Sequence, residues 1–177
     1  MAYAEAGKRI VLATFGSPGD IHPFLAIGAE LRARGHDPIV ATSEVYRERV
    51  LDANLQFAPM RPDRSPGQQD PDFLDRLIRD RQSPAAIFRT MFLPSLRDSL
   101  ADLLCIADGA DAIVSHTMVS SARLVAEVYR LPRVSVVMQP MAYLSAYEPP
   151  VLGHPGIAAA LRALGPGPTK QALRLGR

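Results

Sequence analysis

Cysteine is nearly absent from this chain: Cys105 stands alone among 177 residues, so neither an internal disulfide nor a CxxC or Cys/His zinc site can be assembled. It falls within a helical apolar pattern and is expected to be a small core residue in a reducing compartment. Blocks of like charge are missing too. Twenty Lys+Arg face 18 Asp+Glu, for a net charge of +2, which leaves no electrostatic footprint for nucleic acid. The apolar run after Lys8 and Arg9 breaks at Gly16 and Pro18. It is too short to span a membrane and carries no small-residue cleavage site, so a soluble, cytoplasmic protein is expected. No transmembrane segment is predicted, and peripheral contact with a membrane stays open. With 47% apolar residues, the chain can bury the core of one domain of ordinary size.

Two phosphate-binding signatures are lacking as well. A P-loop needs Gly-Lys-Ser/Thr, but Gly19 is followed by Asp20 and Ile21. The dinucleotide fingerprint wants G-x-G-x-x-G and an acid at the end of the second strand. Here the spacing is Gly16-Ser17-Pro18-Gly19, and the second strand is followed by Ser43 before Glu44.

What the chain does have is RIVLATFGSPGDIHPFL, Arg9 to Leu25. An apolar strand runs into a Gly-Ser-Pro-Gly-Asp loop and straight on into a helix. Gly16 and Gly19 permit a sharp turn or close approach to a ligand, Ser17 lies between them, and Pro23 suits a first helical turn. Asp20 then sits at a strand's carboxyl end, where open α/β sheets bind ligands and a helix start offers free N–H groups. Taken by itself, that aspartate is either a helix cap or a functional carboxylate.

Further along, helical spacing at Phe24, Leu25, Ile27, Gly28 and Leu31 predicts a helix ending at Gly35. A strand at Asp37–Thr42, a helix at Val45–Ala53 and a strand at Leu55–Pro59 follow. Met60 to Pro71 reads as an exposed loop, and Asp72–Arg81 as a short helix. A longer helix starts at Ser83-Pro84, with Pro94 expected to kink it. Ala112–Ser115 is a fourth strand, Ser120–Tyr129 a helix and Val134–Met138 a fifth strand. A helix at Ile157–Leu164, the breaker run Gly165-Pro166-Gly167-Pro168 and the start of another helix complete the pattern. The alternation predicts an α/β, doubly wound Rossmann-like domain with a mainly parallel sheet.

Thr14 to Gly28, followed by Leu31-Arg32-Ala33-Arg34-Gly35-His36, resembles the N-terminal, acceptor-binding half of GT-B fold glycosyltransferases. The branch is that of sterol glucosyltransferases, lipid rhamnosyltransferases and the enzymes that decorate antibiotic aglycones. Glu127 to Pro140, with Leu131-Pro132 leading to Gln139-Pro140, is a second match. The resemblance implies an inverting hexosyltransferase that uses a nucleotide sugar such as a UDP- or dTDP-sugar as co-substrate, with no cofactor and no metal. The acceptor would be a hydroxyl of a hydrophobic small molecule: a natural-product aglycone, a sterol or a lipid.

By position in that family, Asp20 inherits the role of general base. His22, two residues on, caps the helix, contacts acceptor or assists Asp20. His116 and Gln139 close the fourth and fifth strands at the same sheet edge and are candidates for the acceptor pocket, as is Met118. Phe88, Met91 and Phe92 could line it or simply be core. His36 is expected to be structural. The family's donor-binding C-terminal domain, with its His- and Gly-rich signature, has no counterpart in residues 1–177. The chain is therefore expected to be one N-terminal domain, truncated or incomplete, and inactive alone. The alternative is a non-catalytic subunit of a split glycosyltransferase; a nucleotide-binding oxidoreductase is a third reading, opposed by the broken fingerprint.

Overall fold

The computed structural model describes residues 7–63, 93–138, 147 and 155–175. The chain divides into two compact units, Met1–Val136 and Val137–Arg177. The first opens with β1 (Arg9–Ala13), α1 (Pro18–Ala33), β2 (Asp37–Thr42), a 3-10 turn (Glu44–Tyr46), α2 (Arg47–Asp52) and β3 (Gln56–Pro59). It continues with α3 (Leu93–Ile106), β4 (Ala112–His116), α4 (Ser121–Tyr129) and β5 (Arg133–Val136).

The five strands are all parallel, in the order β3-β2-β1-β4-β5. A parallel sheet covered on both faces demands strands apolar on both sides, which is why β1 reads as an unbroken run. Leu12 lies against Leu55 and the bare Cα of Gly28 on the α1 side: a Cβ on Gly28 would come within 2.8 Å of Leu55 Cδ1 and 3.1 Å of Leu12 Cδ1. Val11 and Ala13 pack on the other face with Leu103 of α3 and Val125 of α4. Phe24, Ile21 and Leu12 are fully buried, each worth roughly 1.5–3 kcal/mol of transfer free energy.

Strand β1 is the pivot of the winding. The chain moves from it to β2 and β3 on one side, then returns to place β4 and β5 on the other. The carboxyl ends of β1 and β4 thus flank the topological switch point, where a crevice opens in such sheets. Register aligns them: Ala13 pairs with Ser115, so Thr14 and His116 emerge side by side.

Several boundaries differ from expectation. The Val45–Ala53 helix is a 3-10 turn followed by α2, and Gly35, at φ +85°, follows the last turn of α1 as predicted. Met60 is fully buried and donates its N–H to Thr42 O at 2.9 Å, so the expected loop begins with an anchored residue. Arg61 continues the anchor: its N–H, Nε and Nη2 all donate to the Asp102 carboxylate of α3, at 3.0, 2.9 and 2.7 Å. Cys105 is exposed rather than core, because the buried stripe of α3 runs through Ser99 and Leu103 instead. Pro94 is the second described residue of α3, and the preceding stretch of the helix expected from Ser83-Pro84 lies outside the described residues. Residues 64–92, including the predicted helix at Asp72–Arg81 and Phe88, Met91 and Phe92, lie outside the described residues.

In the second unit, α5 (Pro155–Leu164) and α6 (Pro166–Leu175) are joined at Gly165, whose φ is +80°. Of the breaker run, Gly165 is the joint, and Pro166, Gly167 and Pro168 enter α6, because prolines are tolerated in a first helical turn.

Candidate active site at the sheet switch point

The loop from Thr14 to Asp20 is built to hold one carboxylate. Gly16 has φ +134°, and a Cβ there would lie 2.4 Å from Asp20 Oδ2, so both backbone and space require glycine. Ser17 is the N-cap of α1. Its backbone N–H donates to Asp20 Oδ2 at 2.8 Å and its hydroxyl to the same oxygen at 2.9 Å. Thr14 Oγ1 donates to the Asp20 carbonyl at 3.1 Å, and the buried Tyr46 hydroxyl to the Gly16 carbonyl at 2.8 Å. Asp20 therefore does cap the helix, but with one oxygen only.

The other oxygen faces His116. Asp20 Oδ1 lies 3.6 Å from His116 Nε2, with the side chains 15% and 3% exposed. His116 sits against the fully buried Phe24 ring in an edge-on arrangement, centroids 6.5 Å apart. Its Nδ1 accepts the Met118 N–H at 3.3 Å. Burial holds the His116 imidazole below the ordinary histidine range, and the charge of Asp20 opposes that only in part. At neutral pH the ring is uncharged, and because Nδ1 is an acceptor its proton is on Nε2, toward Asp20.

Of the other sequence candidates, Met118 joins the site both through that backbone bond and by lining an almost wholly apolar cavity of about 60 Å³ with Phe15, Leu93, Leu96 and Ser99. His22 is exposed on α1, and residues two apart on a helix do not face each other, so it is not beside Asp20. Gly19 has no positive φ, and a Cβ there would meet only Ser17 Oγ at 3.5 Å, so folding does not require glycine at that position. Gln139 lies outside the described residues. His36 accepts the Lys8 N–H at 3.3 Å, far from the switch point, as a structural residue would. No sequence signal singles out Tyr46, whose link to Gly16 spans 30 positions, and helical spacing alone makes Phe24 read as simple core.

A larger groove of about 500 Å³, lined by Arg32, His36, Asp37, Asn54 and Gln56 among others, opens at the amino ends of β2 and β3. It is at the sheet edge opposite Asp20.

Residues 10–134 match the glycosyltransferase family 28 N-terminal domain. The chain belongs to that family. Over 49 residues it is 47% identical to an O-mycaminosyltylonolide 6-deoxyallosyltransferase of Streptomyces fradiae, covering 28% of this chain and 12% of the relative. Over 147 residues it is 27% identical to a sterol 3-beta-glucosyltransferase of Gibberella zeae, covering 81% and 10%. The solved structure of the Streptomyces sp. SF2575 glycosyltransferase SsfS6 complexed with thymidine diphosphate shares the fold: TM-score 0.55 at 19% identity, covering 94% of this chain and 45% of that one. The chain spans only a minor part of the length of these relatives.

Proposed function

We propose that this domain binds the acceptor in an inverting glycosyltransferase, and that Asp20 is its general base. The observation that carries the reading is the Asp20 carboxylate at the switch point: one oxygen is fixed by Ser17, the other left toward His116, and an apolar cavity lies at the same sheet edge. The acceptor is a hydroxyl of a hydrophobic small molecule, a reading supported by the sterol named in one relative.

The reaction is a single displacement. The acceptor oxygen forms its bond to the anomeric carbon of a nucleotide sugar while the bond to the nucleoside diphosphate breaks, and the diphosphate departs with the electron pair. Attack from the opposite side inverts the anomeric centre. The hydroxyl proton passes to Asp20, a transfer worth roughly 10²–10⁴ in rate when donor and acceptor are within about 2.6–3.2 Å. We also propose His22 and Gln139 as acceptor contacts, His22 from the exposed face of α1 rather than from beside Asp20. The donor, a UDP- or dTDP-sugar, is held by a second domain or chain; the thymidine diphosphate complex of one structural relative supports that co-substrate class. No described helix is long and apolar enough to cross a membrane. We place the reaction in the cytoplasm, where the exposed Cys105 thiol stays reduced.

The test is a titration of the isotope-labelled chain, followed residue by residue in NMR spectra. A panel of sterol and macrolide alcohols is expected to shift the signals of Asp20, His116 and Met118, whereas uridine and thymidine diphosphate do not saturate the loop. Saturable nucleotide binding at Gly16–Asp20 with the alcohols silent would overturn the reading.

A further inference from the structure

Asp20 and His116 are two groups able to hold a proton, 3.6 Å apart, and the glycosyl-transfer reading uses only one. Their exposure differs: His116 is 3% exposed and Asp20 15%. An acceptor hydroxyl arriving from solvent therefore meets the more exposed carboxylate before the imidazole. The imidazole is constrained on three sides. Met118 N–H occupies Nδ1, the Phe24 ring packs at its edge, and Asp20 Oδ1 faces Nε2.

Resting on the reading of Asp20 as base, we infer that His116 is a positioning residue whose Nε2–H is directed at Asp20 Oδ1, orients the carboxylate, and keeps its own proton throughout. Ser17 holds Oδ2 through two hydrogen bonds, while His116 Nε2 stands 3.6 Å from Oδ1, a separation that a small side-chain adjustment closes to a hydrogen bond when the acceptor docks. Rotation of the carboxylate about its last bond would break the Ser17 bonds and turn Oδ1 away from Nε2, so the lone pair that takes the acceptor proton is aimed before the acceptor arrives. The proton stops on Asp20. A relay onto His116 would require Nδ1 to surrender its proton-free state or Nε2 to carry two hydrogens, and it would create an imidazolium in a pocket that already disfavours the charged ring. Among the described residues, Asp20 is the charged group that bears on His116.

The proton position can be read on this chain without turnover. Nitrogen-15 NMR of the imidazole is expected to show the Nε2–H tautomer, titrating below an ordinary histidine, and Asp20→Asn is expected to lower that titration further by removing a charge that favours imidazolium. An Nδ1–H tautomer, or a titration that Asp20→Asn leaves unmoved, overturns the inference.

The positioning role is read from transfer assays on the chain together with its donor-binding half. His116→Gln places an amide N–H near Nε2 and is expected to keep kcat within about threefold. His116→Leu removes the donor and is expected to lower kcat about 10- to 100-fold, the range typical of groups that orient a reactive ligand, with acceptor KM changed far less. The kcat profiles of wild type and His116→Gln should have the same shape between about pH 6 and 8; a wild-type limb that the glutamine variant lacks would mean that His116 titrates during catalysis, contrary to the inference. Wild-type turnover by Asp20→Asn would remove the base assignment while leaving the tautomer result intact, so the two claims fail separately.

Discussion

Two glycines three residues apart are expected to respond to alanine with opposite signs. Gly16 carries φ +134°, and an alanine Cβ would lie 2.4 Å from Asp20 Oδ2. Holding an L-residue in such a region costs about 1–3 kcal/mol, and the carboxylate must also retreat by about 1 Å to reach ordinary contact. That retreat breaks the bonds from Ser17 N and Oγ, now 2.8 and 2.9 Å, at about 1 kcal/mol net each. Allowing for partial relaxation, Gly16→Ala should destabilise the domain by about 2–4 kcal/mol, a fall in Tm on the order of 5–15 °C for a chain of this size. Gly19 lies in the first turn of α1, where a Cβ meets only Ser17 Oγ at 3.5 Å. Relief of glycine's backbone entropy there should stabilise by about 0.5 kcal/mol and raise Tm by about 1–2 °C. Urea and thermal unfolding followed by circular dichroism measure both. Equal shifts of the same sign, or a neutral Gly16→Ala, would refute the loop geometry. In transfer assays with the donor-binding half, a stable Gly19→Ala with raised KM would mark that backbone as the place a ligand approaches.

Three further outcomes follow from the packing and charge. Gly28→Ala crowds Leu55 and Leu12 at 2.8 and 3.1 Å, so overpacking should lower stability by about 1–3 kcal/mol in urea melts. The Arg61 guanidinium, first through its hydrogen bonds, holds the Asp102 carboxyl below its ordinary value. The folded state therefore binds fewer protons there, and the stabilisation is present above the unfolded value of about 3.9 and lost as pH falls through the folded one. Acid unfolding curves of Asp102→Asn should accordingly be flatter below about pH 4 than wild type. His116 is shifted down as well, but as a base: an unfolded chain takes up a proton near pH 6.5 that the folded chain refuses. Stability should therefore decline as pH drops from about 6.5, and His116→Gln should remove that decline.

The sheet was legible because a parallel strand must be apolar on both faces, which made the run after Arg9 and Ala112–Ser115 stand out, one residue short of the observed β4. The loop was legible because Gly16, Ser17 and Asp20 each have a local reason to be where they are. Residues acting across the fold were harder to read. His116 could be placed at the right edge from strand order alone, but its proton and its orientation depend on Met118 N–H and Phe24, which no spacing rule connects to it. Tyr46 looked like an ordinary helix residue, although its hydroxyl holds Gly16. Cys105 was misread because a helix carries apolar residues beyond its buried stripe, and composition does not say which lie on the inside.

The central claim is that Asp20 takes the acceptor's proton, and Asp20→Asn tests it most directly, since an asparagine oxygen can still accept from Ser17 and keep the helix cap. Sugar transfer from a UDP- or dTDP-sugar to a panel of apolar alcohols should be measured for wild type and variant in the presence of the donor-binding half. The account predicts a fall in kcat of about 10²–10⁴ with acceptor KM little changed. Turnover at the wild-type rate by a folded Asp20→Asn would contradict it.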